Sequence, residues 1–443
     1  MKKLLTLLTL ATVFLFAGTI NAQAQAKIEY TEYDMDNGLH VILHQDHTSP
    51  NVMVALMYHV GAKNESPDKT GFAHFFEHLM FEGSENIGRG EYMNIIQANG
   101  GTLNANTTQD RTYYFQMMPS NQLELALWME SERMLHAKID TTGVNTQKGV
   151  VIEERKQSYD SRPYGTWMEQ MGELAFTTHP YRWQTIGNPE HIRNATFDDI
   201  NNFYKTYYVP NNAVLILTGD FEEAQAKEWI QKYFGDIPRG TREIYRPTIV
   251  EPLDKKEVRK VIYDKVQLPA VFMGYHSPAL GTKDAYALEI LCSILQGGKS
   301  SRFKTNITDK GLALETAMFP YIQEHPGLTY AIGFANAGGS AEEVENAMTA
   351  EIDKVINELV SEEEFQMAMA SIEYGVANGL ISISNKAEIF ADSYTYFKDA
   401  SRINKLLDNY SNITREDLRD VAKKYLHKDN RAILYYLPES MKK

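Results

Sequence analysis

The chain has 443 residues, long enough for two large domains or three average ones, and 43% of them are hydrophobic. Its formal charge of −14 opposes nucleic-acid phosphates and argues against that class of partner. A single cysteine, Cys292, excludes an internal disulfide, so the fold must rest on its apolar core.

Residues 1–26 read as a secretory signal peptide. Lys2 and Lys3 form its charged start, Leu4 to Phe16 its apolar run, and Ala22-Gln23-Ala24 or Ala24-Gln25-Ala26 its cleavage site. The run is too short for a membrane span of about 20 residues. No cysteine stands near the cleavage site to carry a lipid. The expectation is an exported protein, periplasmic or secreted, with no stable membrane anchor.

Strand signals follow. Asn37-Gly38 is a hairpin turn signal, then Leu39, Val41 and Leu43 alternate, and so do Val52, Val54 and Leu56. His40, His44 and His47 lie around these strands and read as solvated surface residues rather than a metal site.

The next segment carries the chemistry. In Gly71 to Glu85, GFAHFFEHLMFEGSE, a helical advance of about 100° per residue puts His74, Glu77 and His78 on one face. Imidazoles at i and i+4 can grip one Zn²⁺, and the carboxylate between them can act as general base on a water. H-x-x-E-H is the inverted-zincin signature. Burying three polar side chains in an apolar stretch without a ligand would be costly. A catalytic zinc also needs a third protein ligand and an open position.

Gly101 to Phe115, GTLNANTTQDRTYYF, reads as strand, and Ser120 to Ala137 as a helix with Ser120 as N-cap. Near residue 196 a pattern begins that returns 218 residues later. A Thr N-cap, acids in the first turn, an amphipathic helix and a β-rich strand run from Thr196 to Leu217, and again from Thr414 to Tyr436. A repeat that long means two homologous domains. Gly235 to Lys256, with Pro238, Gly240, Pro247 and Pro252, reads as their boundary. The second half opens with strands at Val258 to Ile262 and Val271 to Tyr275. Ala285 to Leu295 then takes the place of the histidine helix without its histidines and includes Cys292 as a core residue. The expected fold class is α+β: two homologous domains, 27–235 and 257–443, joined by a linker at 236–256, each a largely antiparallel sheet packed with helices.

The stretch around His74 resembles the zinc helix of the pitrilysin/insulinase family of metallopeptidases. Gly101 to Phe115 resembles that family's substrate-binding edge strand. RPYG at 162–165 and HPYRWQTIG at 179–187 resemble its single-repeat bacterial members, which are similar to the mitochondrial processing peptidase beta subunit. The resemblance implies one Zn²⁺ per chain, held by His74, His78 and a glutamate about 76 residues past the second histidine. Glu154 stands there. Glu153 is the rival and would face about 100° away on a helix. The resemblance also implies Glu77 as the catalytic base, with Asn104 and Ala105 binding substrate.

Two departures stand out. The family's glutamate seven residues before the third ligand is here Gln147. An Arg and a Tyr, seven apart in the non-catalytic domain of active members, correspond to Ile307 and Leu314. The reading is therefore a zinc metalloendopeptidase acting on peptides or unfolded segments, as the catalytic subunit of a two-subunit peptidase. A homologous zinc-less subunit would supply the missing pair, and a homodimer is the alternative assembly. The competing functions are a non-catalytic scaffold or assembly subunit from the same family, and a metal-dependent hydrolase of a non-peptide substrate.

Overall fold

Asn37 and Gly38 turn the chain back on itself. Gly38 has φ 85°, and Asn37 Oδ1 accepts from the Leu39 amide at 3.1 Å. This turn joins β1 (Thr31–Asp34) to β2 (His40–Gln45) as an antiparallel pair. The structure is a computed structural model and describes residues 27–251 and 256–442. The signal-peptide reading, on 1–26, lies outside the described residues.

The first sheet adds β3 (Asn51–Tyr58), β4 (Thr102–Thr107), β5 (Thr112–Pro119) and β6 (Ala213–Gly219), in the order β1-β2-β6-β3-β5-β4. The second contains β7 (Val258–Asp264), β8 (Ala270–His276), β9 (Glu315–Tyr321), β10 (Leu328–Phe334) and β11 (Arg431–Pro438), in the order β7-β11-β8-β10-β9. Both are antiparallel except for one pair each, β2 with β6 and β7 with β11. Apart from the extra edge strand β1, the two sheets therefore share one strand order, and the fold class is the α+β, two-domain class expected.

The repeat extends to single hydrogen bonds. Thr196 and Thr414 each cap a helix in a capping box, with Asp199 and Asp417. At the ends of those helices, Asn212 Nδ2 donates to Tyr207 O and His59 O, and Asn430 Nδ2 donates to Tyr425 O and His276 O.

Strand alternation decides what each face covers. Val41, Leu43, Val52, Val54 and Leu56 face the helix Phe72–Leu79, whose Phe72, Phe75 and Phe76 join the same core. The opposite face, with Ile42, Met53, Ala55 and Met57, is covered by the helix Ile383–Phe397 from the second half, through Ala387, Phe390 and Ala391. The loan is returned. Helix Trp167–Ala175 of the first half lays Met171 and Ala175 on Ala270, Phe272, Leu434 and Tyr436 of the second sheet. Each half thus has a core of its own and one it shares.

The borrowed helix corrects the reading of two histidines. His40 and His44 are buried rather than solvated. The His40 ring stacks on Tyr394 with centroids 3.4 Å apart, and its Nδ1 lies 2.8 Å from Asp34 Oδ1. His44 Nδ1 lies 2.7 Å from Glu29 O. Ser120 is not an N-cap either. It starts a 3₁₀ turn ahead of the helix Leu123–His136, and its hydroxyl donates to Asp220 Oδ2 at 2.8 Å.

A polar joint ties the halves together. Lys63 is fully buried, and its Nζ binds Asp110 Oδ1 at 2.9 Å and the second-half carboxylate Glu324. His59 Nε2 lies 2.7 Å from the same Glu324 oxygen. Asp110 accepts from the Glu324 amide at 3.0 Å and the Tyr181 hydroxyl at 2.6 Å.

Candidate metal centre and active site

The helix Phe72–Leu79 has no side-chain cap of its own. It starts at Gly71, with φ 92°, and a Cβ on Gly187 would overlap the Gly71 backbone. Two backbones therefore meet where side chains would prevent it. The first amides of the helix are satisfied by Glu65 instead. Its Oε2 accepts from Gly71 at 2.9 Å and its Oε1 from Ala73 at 2.8 Å. With the three phenylalanines turned into the core, His74, Glu77 and His78 occupy the other face.

The helix Thr141–Arg155, N-capped by Asp140, brings Glu154 to that face. Its Oε2 lies 3.2 Å from His78 Nε2 and 3.6 Å from His74 Nε2, and the two Nε2 atoms are 3.3 Å apart. All three ligand-type atoms lie within 4.8 Å of one another. Glu153 points away, exposed, to Gln157 and Lys156.

Burial, with His78 beside it, lowers the proton affinity of His74 and keeps that ring neutral. Burial acts the same way on His78 and is the largest single influence there, but the hydrogen bond to Glu154 and the negative charges of Glu154 and Glu77 together outweigh it and raise the affinity. That bond is also the main reason Glu154 sits below the usual carboxylate range. Lone pairs from two imidazoles and one carboxylate thus converge on a point where one shared proton satisfies only part of them. This donor set suits Zn²⁺.

Glu77 lies beside the trio and belongs to none of its contacts. Burial raises its pKa, against a hydrogen bond that its Oε2 accepts from Thr107 Oγ1 at 2.5 Å. Thr107 ends β4, the edge strand of the sheet, which pairs only with β5 among the described residues. Along β4, Leu103, Ala105 and Thr107 alternate with the exposed Thr102, Asn104 and Asn106. The inward set therefore faces the motif helix and its core. Of the two substrate residues implied by resemblance, Ala105 packs against the core and Asn104 is exposed. Ile307 is buried in the second core, and Leu314 is 54% exposed.

Two residues at the site escaped sequence reasoning: Glu65 and Thr107. Thr107 was within reach, because period-two alternation from Ala105 selects it. Glu65 carries no spacing signal of its own.

Antiparallel sheets with one shared strand order, and an H-x-x-E-H helix set against an edge strand, define a two-domain peptidase class. Residues 40–188 match the insulinase (peptidase family M16) domain, and 194–372 match the peptidase M16 inactive domain. The chain belongs to the M16, or pitrilysin/insulinase, family. It is similar to the zinc protease PqqE of Helicobacter pylori, at 28% identity over 436 residues, covering 97% of this chain and 98% of that one. It is also similar to the uncharacterized zinc protease YmxG of Bacillus subtilis, at 23% identity over 69% of this chain and 73% of the relative. Among solved structures, a protease from Helicobacter pylori superposes with a TM-score of 0.88 at 28% identity, over 93% of this chain and all of that one. The periplasmic protease PqqL of Escherichia coli shares the fold at TM-score 0.75 and 18% identity, over 92% of this chain and 47% of its own.

Proposed function

We propose that the chain is an exported zinc metalloendopeptidase that hydrolyses peptides or unfolded segments. The observation that carries this reading is the convergence of His74, His78 and Glu154 beside a carboxylate, Glu77, that is tied to a sheet edge. Zn²⁺ held by those three side chains would supply a Lewis acid for the scissile carbonyl and acidify a water. Free of their protons at Nε2, the two rings would offer lone pairs, and Glu154 would offer the charge. Glu77 takes the proton of the attacking water and passes it to the departing amine. Its buried setting, which favours the protonated form, suits the second of these tasks. The edge of β4, with Asn104 and Ala105, offers main-chain groups to an extended peptide.

The length relation to PqqL supports a paired assembly. This chain spans about half of PqqL, and it lacks the Arg and Tyr that the family places opposite zinc. A homologous zinc-less subunit would complete the site, with a homodimer as the alternative. The description of PqqL as periplasmic agrees with export by residues 1–26. No helix among the described residues is long and apolar enough to cross a membrane.

The test is Glu77→Gln. The variant should keep its zinc and melting temperature while turnover of an unstructured peptide falls 10²–10⁴-fold, the usual cost of a lost general base. Undiminished turnover at equal zinc content would reject the assignment.

A further inference from the structure

The helix Ile383–Phe397 works on two faces. Ala387, Phe390 and Ala391 lie on the first sheet. On the other side of the helix, Ile389 and Asp392, at i and i+3, line a cavity of about 240 Å³ in the second half. Leu280, Val376 and Leu406 extend its aliphatic wall, and Arg402 stands in it as well. The two charges of this wall are poorly matched. Asp392 Oδ1 is buried and accepts no hydrogen bond. Arg111 Nε stands 3.9 Å from it, too far for one. The other arginine nitrogens are committed, Nη1 to Asn106 O at 3.2 Å and Nη2 to Glu388 Oε1 at 3.1 Å. Two acids thus share one cation. Burial pushes the Asp392 carboxyl up to about 7 against the pull of Arg111. Arg402 is the converse case. Its Nη2 donates to the neutral Tyr286 hydroxyl at 2.9 Å, and its guanidinium carbon lies 3.7 Å from the Phe397 ring centroid. It pairs with no carboxylate among the described residues.

We propose that this cavity binds a free aliphatic α-amino acid, with its carboxylate on Arg402, its ammonium on Asp392 and its side chain against the aliphatic wall. A carboxylate would give Arg402 a charged partner of matching fork geometry, which a tyrosine hydroxyl is not. An ammonium would supply the positive charge that two acids sharing one arginine lack. An apolar body beside two opposite charges is the layout of such an amino acid. The size agrees, since pockets for drug-sized molecules hold about 300–1,000 Å³ and this one is smaller. Neither charge belongs to the metal centre, so the proposal does not rest on zinc or on peptide hydrolysis. The cavity is built on the helix that joins the halves, and an occupant that binds only the folded chain raises its melting temperature.

The test is titration of the purified chain with L-leucine, L-isoleucine and L-valine, read by calorimetry and by melting temperature. At least one should bind saturably, at one site per chain. The N-acetyl derivative of the tightest lacks the ammonium, and its amide lacks the carboxylate. Each should bind about tenfold more weakly or worse, the usual cost of a lost charged hydrogen bond. Asp392→Asn and Arg402→Gln should weaken the unmodified amino acid by a similar factor. Val376→Phe, which fills the cavity and leaves both charges in place, should abolish binding. Melting temperatures without ligand show whether each variant folds, and Asp392→Asn keeps the shape of the side chain it replaces. No saturable binding of any of the three amino acids overturns the proposal. So does binding that survives N-acetylation or amidation undiminished, or parental affinity in Asp392→Asn or in Val376→Phe.

Discussion

Thr107 Oγ1 donates to Glu77 Oε2 over 2.5 Å, so the last residue of the edge strand holds the carboxylate assigned as base. The strand that would seat the peptide and the group that would act on it are thereby one unit. Thr107→Val keeps the shape and removes the donor. Turnover should fall about 10–100-fold, because a small misplacement of a catalytic group is that costly. KM and zinc content should stay near the parent values, and Thr107→Ser should recover most of the rate. Full activity in the valine variant would show that the bond does not position Glu77.

The metal assignment separates two adjacent glutamates. Glu154 Oε2 sits 3.2 Å from His78 Nε2, while Glu153 is exposed and paired with Lys156 at 3.6 Å. Elemental analysis should find about one zinc per chain in Glu153→Gln and little in Glu154→Gln or His74→Ala, since two ligands hold zinc far more weakly than three. The reverse pattern would move the ligand to Glu153.

Much of this was legible in the chain itself. Asn37-Gly38 announces its hairpin, and i, i+4 spacing puts His74 and His78 on one face. The return of Thr-x-x-Asp after 218 residues announces two matching halves. What could not be read is which surface a helix will cover. The apolar positions of Ile383–Phe397 show that it is buried, but nothing local says that it crosses to the first sheet, over His40 and His44. Side chains that reach back to backbone amides are equally silent. Glu65 lies six residues before Gly71 and outside any capping pattern, yet it satisfies the start of the motif helix. Ser120 fits the N-cap pattern but is drawn off by Asp220.

The joint between the halves should be acid-sensitive. Burial lowers the His59 pKa from 6.5 to about 4. Below pH 6.5 the unfolded chain therefore takes a proton that the folded chain refuses, and stability falls as pH drops from 6.5 to 4. Burial would raise the Glu324 pKa, but the hydrogen bond and charge of His59, with Lys63, outweigh it and hold the carboxyl at about 2 against its usual 4.5. Its contribution is present above pH 4.5 and is lost as pH falls from there toward 2. Melting temperature followed down in pH should begin to fall near 6.5. His59→Gln should flatten the 6.5–4 part of that curve. Lys63→Met, which leaves Asp110 and Glu324 buried without their cation, should cost about 3–5 kcal/mol. A parental melting curve in Lys63→Met would show that the joint does not stabilise the pair of halves.

Assembly gives the last prediction. Active members of the family present an Arg and a Tyr to the substrate carbonyl from a non-catalytic domain. By resemblance those positions correspond to Ile307, which is buried in the second core, and Leu314, which is half exposed. Neither side chain can donate a hydrogen bond to a developing oxyanion. Donors of that kind are typically worth 10²–10³ in rate. The chain alone should therefore fold, bind zinc and turn over an unstructured peptide slowly. A homologue that lacks the zinc motif but carries the Arg and Tyr should raise that rate by about the same factor, with the gain saturating at one partner per chain. If the active species is a homodimer, the specific rate will instead climb with the chain's own concentration and no partner will be needed. Peptide turnover by the purified chain, measured across dilution and with and without the homologue, separates the two. A rate independent of both would mean that one chain holds a complete site, and that some group other than Ile307 or Leu314 meets the oxyanion.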